Sequence, residues 1–453
     1  MSAVLAIDEG TTGVTSLVVG ADGRLLGRGY REVTQHFPRP GEVEHDPEEI
    51  FLWQDRRTAP RCAQLVKRRK AALIRSRTGL VPDPYFSATK IEWLLEHVPG
   101  LERRVASGEA VFGTVDAWLV FRLTNGKVFA TDHTNASRTM LYNIRTRAWD
   151  PDLLRLFGVH PDALPEVRTS SGAFGVSEAK HLGSEMPVAG VAGDQQAALF
   201  GQGCVEPGQA KNTYGTGAFL LLNTGRRRPE SKHGLLATVA CGPRGEPVYA
   251  LEGSVFIAGA SVQWLRDGLE VIHQAAETEA LARGVPDTGG VYFVPAFVGL
   301  GAPHWQPNAR GTIVGLTRGT SRAQLARAAL EAMAYSTKDV LDAMTADAQL
   351  TLHALQVDGG AAANDFLMQF QADLLGVPVA RPDVLETTAL GAAALAGLAL
   401  GVWKAPRDFL AGRRFTQFRP GPNRRAIQAR QAEWHHAIAT ALYWATPERR
   451  RRR

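Results

Sequence analysis

Apolar and polar positions along the chain follow two rhythms. Val4-Leu5-Ala6-Ile7 is an unbroken apolar run, and Thr15-Ser16-Leu17-Val18-Val19 is a second. Between them lies the polar stretch Asp8-Glu9-Gly10-Thr11-Thr12-Gly13, and Asp22-Gly23 follows as a tight turn. Short apolar runs bounded by Gly, Asp and Thr predict strands joined by turns. The same grammar returns in mid-chain. Asn212-Thr213-Tyr214 leads into Gly215-Thr216-Gly217 and then Ala218-Phe219-Leu220-Leu221-Leu222. Two strand–turn–strand units suggest a duplicated fold with one copy in each of two domains.

The other rhythm is helical. Lys90 to His97 has Ile91, Leu94 and Leu95 at helical spacing, and Asp116 to Leu123 is closed by Asn125-Gly126. Ser321-Arg322-Ala323-Gln324 reads as a capping box. It opens a long amphipathic helix with Leu325, Ala329, Met333, Val340 and Met344 inward. Leu355-Gln356-Val357 predicts a strand running into Asp358-Gly359-Gly360, with a helix from Asn364 to Leu375 after it. Strands alternating with helices place the chain in the α/β class. Glycines and Pro207 after Gly201-Gln202-Gly203 predict a boundary there. The expected domains are 1–203 and 204–445, with an Arg-rich tail at 446–453. The most apolar stretch, Ala389 to Trp403, is too short for a bilayer, which needs about 20 residues. Its Ala and Gly content predicts a closely packed buried helix.

Charge changes this picture little. The 453 residues carry a formal charge of +6, which falls to +1 without the five terminal arginines. A nucleic-acid binder would need a basic face on the body, so none is expected as a partner. Cys62, Cys204 and Cys241 lie far apart, without the spacing of a zinc site or a disulfide framework. A reducing cytoplasm is the expected compartment. Asp8 and Glu9 break the first apolar run too early for a secretory segment.

The candidate chemistry sits in the turns. Neither a Walker A sequence nor a strand-following GxGxxG is present. Instead, Gly10-Thr11-Thr12 offers backbone N–H groups and hydroxyls to phosphate oxygens, and Gly215-Thr216-Gly217 repeats the offer. An ordinary hairpin with a polar tip would read the same way. Asp8, just before the first turn, is placed to hold Mg²⁺. Asp358-Gly359-Gly360 allows a third close approach. In Gly193-Asp194-Gln195, an Asp after a Gly is ordinarily a helix N-cap. The alternative is a carboxylate that takes a proton from a hydroxyl attacking phosphate.

These turns match the phosphate motifs of the FGGY carbohydrate kinases, and the chain resembles the glycerol-phosphorylating branch of that family. Tyr85 to Leu94 is similar to one family signature, and Gly311-Thr312-Ile313-Val314-Gly315-Leu316 with Gln324 is similar to the other. Further matching runs are Thr134 to Thr139, Gly193 to Gln202, Lys211 to Phe219, Gly259 to Trp264 and Asp358 to Asp373. The resemblance spans 3–50 and 52–445. It implies a two-domain actin/hexokinase-like (ribonuclease H-like) fold with ATP in the interdomain cleft. It implies Asp194 as general base, with Tyr85, Gln195 and Phe219 around glycerol. Thr11, Thr12 and Thr216 would contact phosphates. Gly259, Gln263, Gly360 and Asn364 would contact the rest of the nucleotide, and Asp8 the Mg²⁺. ATP and glycerol would give ADP and sn-glycerol 3-phosphate. A homodimer or homotetramer is also implied.

The chain departs from the family in one large respect. Phe51-Leu52 is followed at once by Trp53-Gln54-Asp55-Arg56-Arg57, where family members have some fifty further residues. Those carry an Asn-Gln-Arg-Glu motif whose Arg and Glu bind the polyol, and this chain has no such tetrapeptide. Deleting strands predicts an unpaired sheet edge and rearrangement near residues 48–60. Each lost hydrogen bond to a substrate hydroxyl costs on the order of 1–3 kcal/mol, so polyol binding could fall by about a thousandfold. The alternative expectation is therefore an impaired nucleotide-binding relative. Thr15 also stands where the family often has an Arg. Ser184-Glu185-Met186-Pro187 replaces a loop that binds fructose 1,6-bisphosphate in some members, so that regulation is not expected.

Overall fold

The computed structural model describes residues 3–39, 42–45, 50–51 and 54–446. The first predicted unit is an antiparallel meander of β1 (Ala3–Glu9), β2 (Gly13–Gly20) and β3 (Leu25–Glu32). Ala6 pairs with Leu17 and Val4 with Val19, and all four are buried. Alternation sends Leu5 and Val18 to the opposite, exposed face. The second unit is larger. The Gln209–Tyr214 and Ala218–Gly225 strands form a hairpin inside a seven-stranded sheet. There the Gln209–Tyr214 strand also pairs in parallel with Ala354–Asp358. No strand pairs with the corresponding side of β1 among the described residues. This is the open edge that the missing segment predicts. The junction itself, 52–53, and residues 46–49 lie outside the described residues, as do 447–453 of the Arg-rich tail.

Residues 54–60 are ordered despite the junction. Asp55 is buried and accepts from Val43 N at 3.0 Å and Arg57 Nε at 2.9 Å, and a helix starts at Ala59.

The predicted helices form at Ala88–His97, Val115–Leu123, Arg322–Ala348 and Asp365–Leu375. The capping box at Ser321 and Gln324 closes as the sequence indicates. In the 27-residue helix that it opens, Ala329, Met333, Val340 and Met344 are buried, while Leu325 is only partly covered. The Ala/Gly-rich stretch forms the Thr387–Ala399 helix. This helix packs on β1 and β2 and crosses the Asp194–Gly201 helix, so the far end of the chain completes the core beneath the first hairpin. The crossing is close because it has no side chains at its contact. A Cβ on Gly391 would lie 1.8 Å from Ala197 O, and one on Gly201 would lie 2.2 Å from Thr387 O.

Candidate active site

Strand register builds the floor of the site. Reading across the large sheet, Asp358, Thr213, Phe219 and Ser254 stand in one row. Two residues back along the strands, Gln356, Lys211, Leu221 and Glu252 stand in the next. Period-two alternation puts both rows on one face. Lys211 is buried there and donates to Gln195 Oε1 at 2.5 Å and to Thr213 Oγ1 at 2.8 Å. Burial lowers its pKa, and the carboxylates of Asp358, Asp194 and Glu252 oppose that shift.

Asp194 and Gln195 open the Asp194–Gly201 helix, with Gly193 as its N-cap. Asp194 is therefore the first helical residue rather than the cap. Its exposed carboxylate accepts from Gln195 N at 2.7 Å. The helix start is anchored from below. Gly193 N donates to Thr134 Oγ1 at 2.8 Å, and the buried Asp132 accepts from Thr134 N, Asn135 N and Ser170 Oγ. This explains the Thr134 to Thr139 run: it is the footing of the candidate base.

Asp8, at the end of β1, faces the same space. Its pKa is raised to about 6, first by burial and then by the neighbouring charges of Asp194 and Glu9. Two hard carboxylates repelling each other suit a small divalent cation. No cluster of three or more metal-ligating side chains occurs among the described residues. The donor set thus fits Mg²⁺ held by one or two carboxylates together with substrate phosphates. Tyr85 lies beside Phe86 in an edge-on contact at 5.0 Å, and its backbone N donates to Asp83 Oδ1 at 2.8 Å. Its pKa is pushed up to about 12, chiefly by burial, with Glu252 and Asp194 adding to the shift and Arg138 opposing it.

The second set gathers around the Gly215-Thr216-Gly217 turn. Gly259 N donates to Gly215 O at 3.0 Å, and Ala258 N and Ala260 N donate to Thr216 O at 2.8 and 3.1 Å. These bonds seat the Gly259–Asp267 helix on the turn and leave Thr216 and Gln263 exposed. Gly259 must lack a side chain, since a Cβ would sit 2.6 Å from Gly215 O. Gly359 has φ +83°, and its Cβ would meet Tyr214 O at 2.3 Å, whereas Gly360 faces open space. Asn364 is engaged differently from the other predicted contacts. Its side chain caps the Asp365–Leu375 helix by accepting from Leu367 N at 2.9 Å, and it donates to Thr278 Oγ1 at 3.3 Å. In the first turn, Thr11 O lies 2.7 Å from His45 Nε2, and Thr12 O accepts from Val33 N at 3.0 Å.

The structure therefore brings Tyr85, Asp194, Gln195 and Asp8 to one neighbourhood and Thr216, Gly259 and Gln263 to another. Asp358 lies beside Thr213 in the sheet and accepts from Gln202 Nε2 at 2.8 Å and from Thr387 Oγ1. Sequence reasoning passed over Lys211, Arg138 and Glu252 as site residues. For Glu252 the available signal was a charge at a buried position of a largely apolar strand, PVYALEGSV; the Lys211 strand, QAKNTY, is polar enough to hide the same signal.

Comparison with known proteins identifies the family and the fold. Residues 49–201 match the FGGY family of carbohydrate kinases, N-terminal domain, and 210–400 match its C-terminal domain. A "Glycerol kinase" of Carboxydothermus hydrogenoformans is 49% identical over 495 residues, covering 98% of this chain and 99% of the relative. "Glycerol kinase 2" of Thermotoga maritima is 48% identical over 493 residues, covering 98% and 99%. The first alignment exceeds the 453 residues of this chain, so at least 42 aligned positions fall opposite gaps in it. Plasmodium falciparum glycerol kinase with ADP superposes with a TM-score of 0.93 at 31% identity, covering 98% of each chain. A ligand-bound xylulose kinase from Lactobacillus acidophilus shares the fold, with a TM-score of 0.88 at 20% identity and coverage of 98% and 99%.

Proposed function

The chain belongs to the FGGY family of carbohydrate kinases, and from that premise we propose that it is an ATP-dependent glycerol kinase forming sn-glycerol 3-phosphate. The observation that carries this reading is the convergence of Asp194, Gln195 and Tyr85 beside the Lys211–Glu252 face of the large sheet, with Asp8 facing Asp194.

In this mechanism Tyr85, Gln195 and the Phe219 ring hold glycerol. Asp194 accepts the proton of the terminal hydroxyl as its oxygen attacks the γ-phosphorus. The bond to the bridging oxygen of ADP breaks, and ADP leaves. Thr11, Thr12 and Thr216, with the backbone N–H groups of their turns, hold the phosphates. Gly259, Gln263 and Gly360 border the rest of the nucleotide, and Asn364 supports that border by capping its helix. Mg²⁺, when bound through Asp8 and the phosphates, supplies charge neutralisation to the moving phosphoryl group. The protein's own contribution is position and preorganised charge.

The division near residue 203 and the cytoplasmic location belong to the same proposal, as does a homo-oligomeric state. Among the described residues, no helix is long and apolar enough to cross a membrane. The impaired-relative reading is not favoured, because matching relatives run along nearly the whole chain and the candidate base keeps its footing.

A coupled assay of ADP release, with and without glycerol, tests the reading. Glycerol-dependent ADP formation is expected, faster than with dihydroxyacetone or pentuloses. ATP binding without glycerol-dependent turnover would overturn it.

A further inference from the structure

Arg138 follows the short His133–Ala136 helix in the first half of the chain, and Glu252 lies on the Pro247–Val255 strand of the large sheet. The Glu252 side chain is buried and that of Arg138 partly buried, and the two are paired on two atoms. Arg138 Nη2 donates to Glu252 Oε1 at 2.9 Å, and Nη1 lies 2.6 Å from Oε2. Nη1 and Oε2 have no hydrogen-bond partner among the described residues beyond this mutual contact. The same guanidinium lies 5.4 Å from the Tyr85 ring centroid and 5.3 Å from that of Phe86, and it shares a side-chain hydrogen bond with Tyr85. Glu252 in turn stands in the row of Lys211, the residue that holds Gln195.

Taking glycerol phosphorylation as the activity, we propose that the Arg138–Glu252 pair is a positioning device for the polyol. It fixes the Tyr85 hydroxyl against the large sheet across the two halves of the chain. Arg138 suits the task because its planar fork can serve a carboxylate and a phenol at once, which a single ammonium point charge does less well. Glu252 holds the fork in one orientation. Without that anchor the Tyr85 phenol would be free to turn from the hydroxyl it meets. Ground-state binding of glycerol would then suffer while the base and the nucleotide site stayed in place. The affinity for glycerol would depend on a pair that need not touch it.

A purely structural ion pair makes a different prediction, and a mutant cycle separates the two. Arg138→Met or Glu252→Met alone leaves a buried charge unpaired, whereas the double variant removes both charges. A structural role predicts that the double variant regains both wild-type melting temperature and wild-type KM for glycerol. Positioning predicts that it regains the melting temperature only. Its KM for glycerol stays raised by about tenfold or more, with KM for ATP unchanged and kcat less affected. Adding Tyr85→Phe to the double variant should then cost nothing further, because the hydroxyl has already lost its anchor. Recovery of the wild-type glycerol KM, or a full additional penalty from Tyr85→Phe, would overturn the proposal. If the double variant fails to fold, Arg138→Lys decides. It keeps the charge pair but loses the fork, so a raised glycerol KM at unchanged stability supports positioning, and a wild-type KM refutes it. A wild-type chain with no glycerol-dependent turnover would instead overturn the kinase reading, and this inference with it.

Discussion

Asp8 and Asp194 share one small space at the end of β1, and their charges pull function and stability apart. The pKa of Asp8 stands at about 6 in the fold against 3.8 for the free group. The folded state therefore binds more protons than the unfolded chain between those values, and stability falls as pH rises through that window. Asp8→Asn removes the penalty. We expect it to stabilise the protein by on the order of 1–3 kcal/mol at pH 8, with no gain below about pH 4. Melting curves across pH read this directly. The same variant should weaken Mg²⁺-dependent turnover. Asp194→Asn should lower kcat by about 10²–10⁴-fold while leaving ATP binding intact, as steady-state kinetics and nucleotide titration would show. Asp194 stood out in the sequence as a candidate because the Gly193 to Gln202 run resembles the family's. Its true position, first in the helix and not the cap, depended on Gly193 being tied down by Thr134.

The two hairpins look alike as elements, yet they are embedded differently. Among the described residues, the Gln209–Tyr214 strand has neighbours on both sides and β1 has one. Amides on the outward side of β1 should exchange with deuterium much faster than those of Gln209–Tyr214, and hydrogen-exchange mass spectrometry would detect it. The helix pair Asp194–Gly201 and Thr387–Ala399 makes the opposite case. Its contact admits no side chain, so Gly391→Ala should cost roughly 2–4 kcal/mol or prevent folding. Equilibrium denaturation measures this. The Ala/Gly pattern predicted a buried helix, but nothing in it told which helix lies opposite. The partner is nearly two hundred positions earlier in the chain, a separation that periodicity does not carry.

For the whole molecule the decisive feature is what the chain omits. At least 42 positions present in the Carboxydothermus relative have no counterpart here, and among the described residues β1 has an open edge and an exposed face with Leu5 and Val18. Restoring the relative's segment after Leu52 should lower KM for glycerol by about a hundredfold or more and leave KM for ATP little changed. It should also raise the melting temperature by covering that edge. A chimaera with unaltered glycerol KM would mean that the residues already present bind the polyol fully.

What the sequence determined by itself were the features encoded locally. The turns at Gly10–Gly13 and Gly215–Gly217 and the capped helix from Ser321 follow from short-range chemistry and spacing, while Asp194 as candidate base rests on the family resemblance. The missing stretch showed only against the family pattern that the chain resembles on both sides of residues 51–53. Only the tertiary structure decided that Lys211 holds Gln195, that Arg138 meets Glu252 and Tyr85, and that the helix at 387–399 closes the core under β1. Those contacts join residues from 16 to several hundred positions apart. They arise from strand register and close helix crossing, and so exist only once the chain has folded.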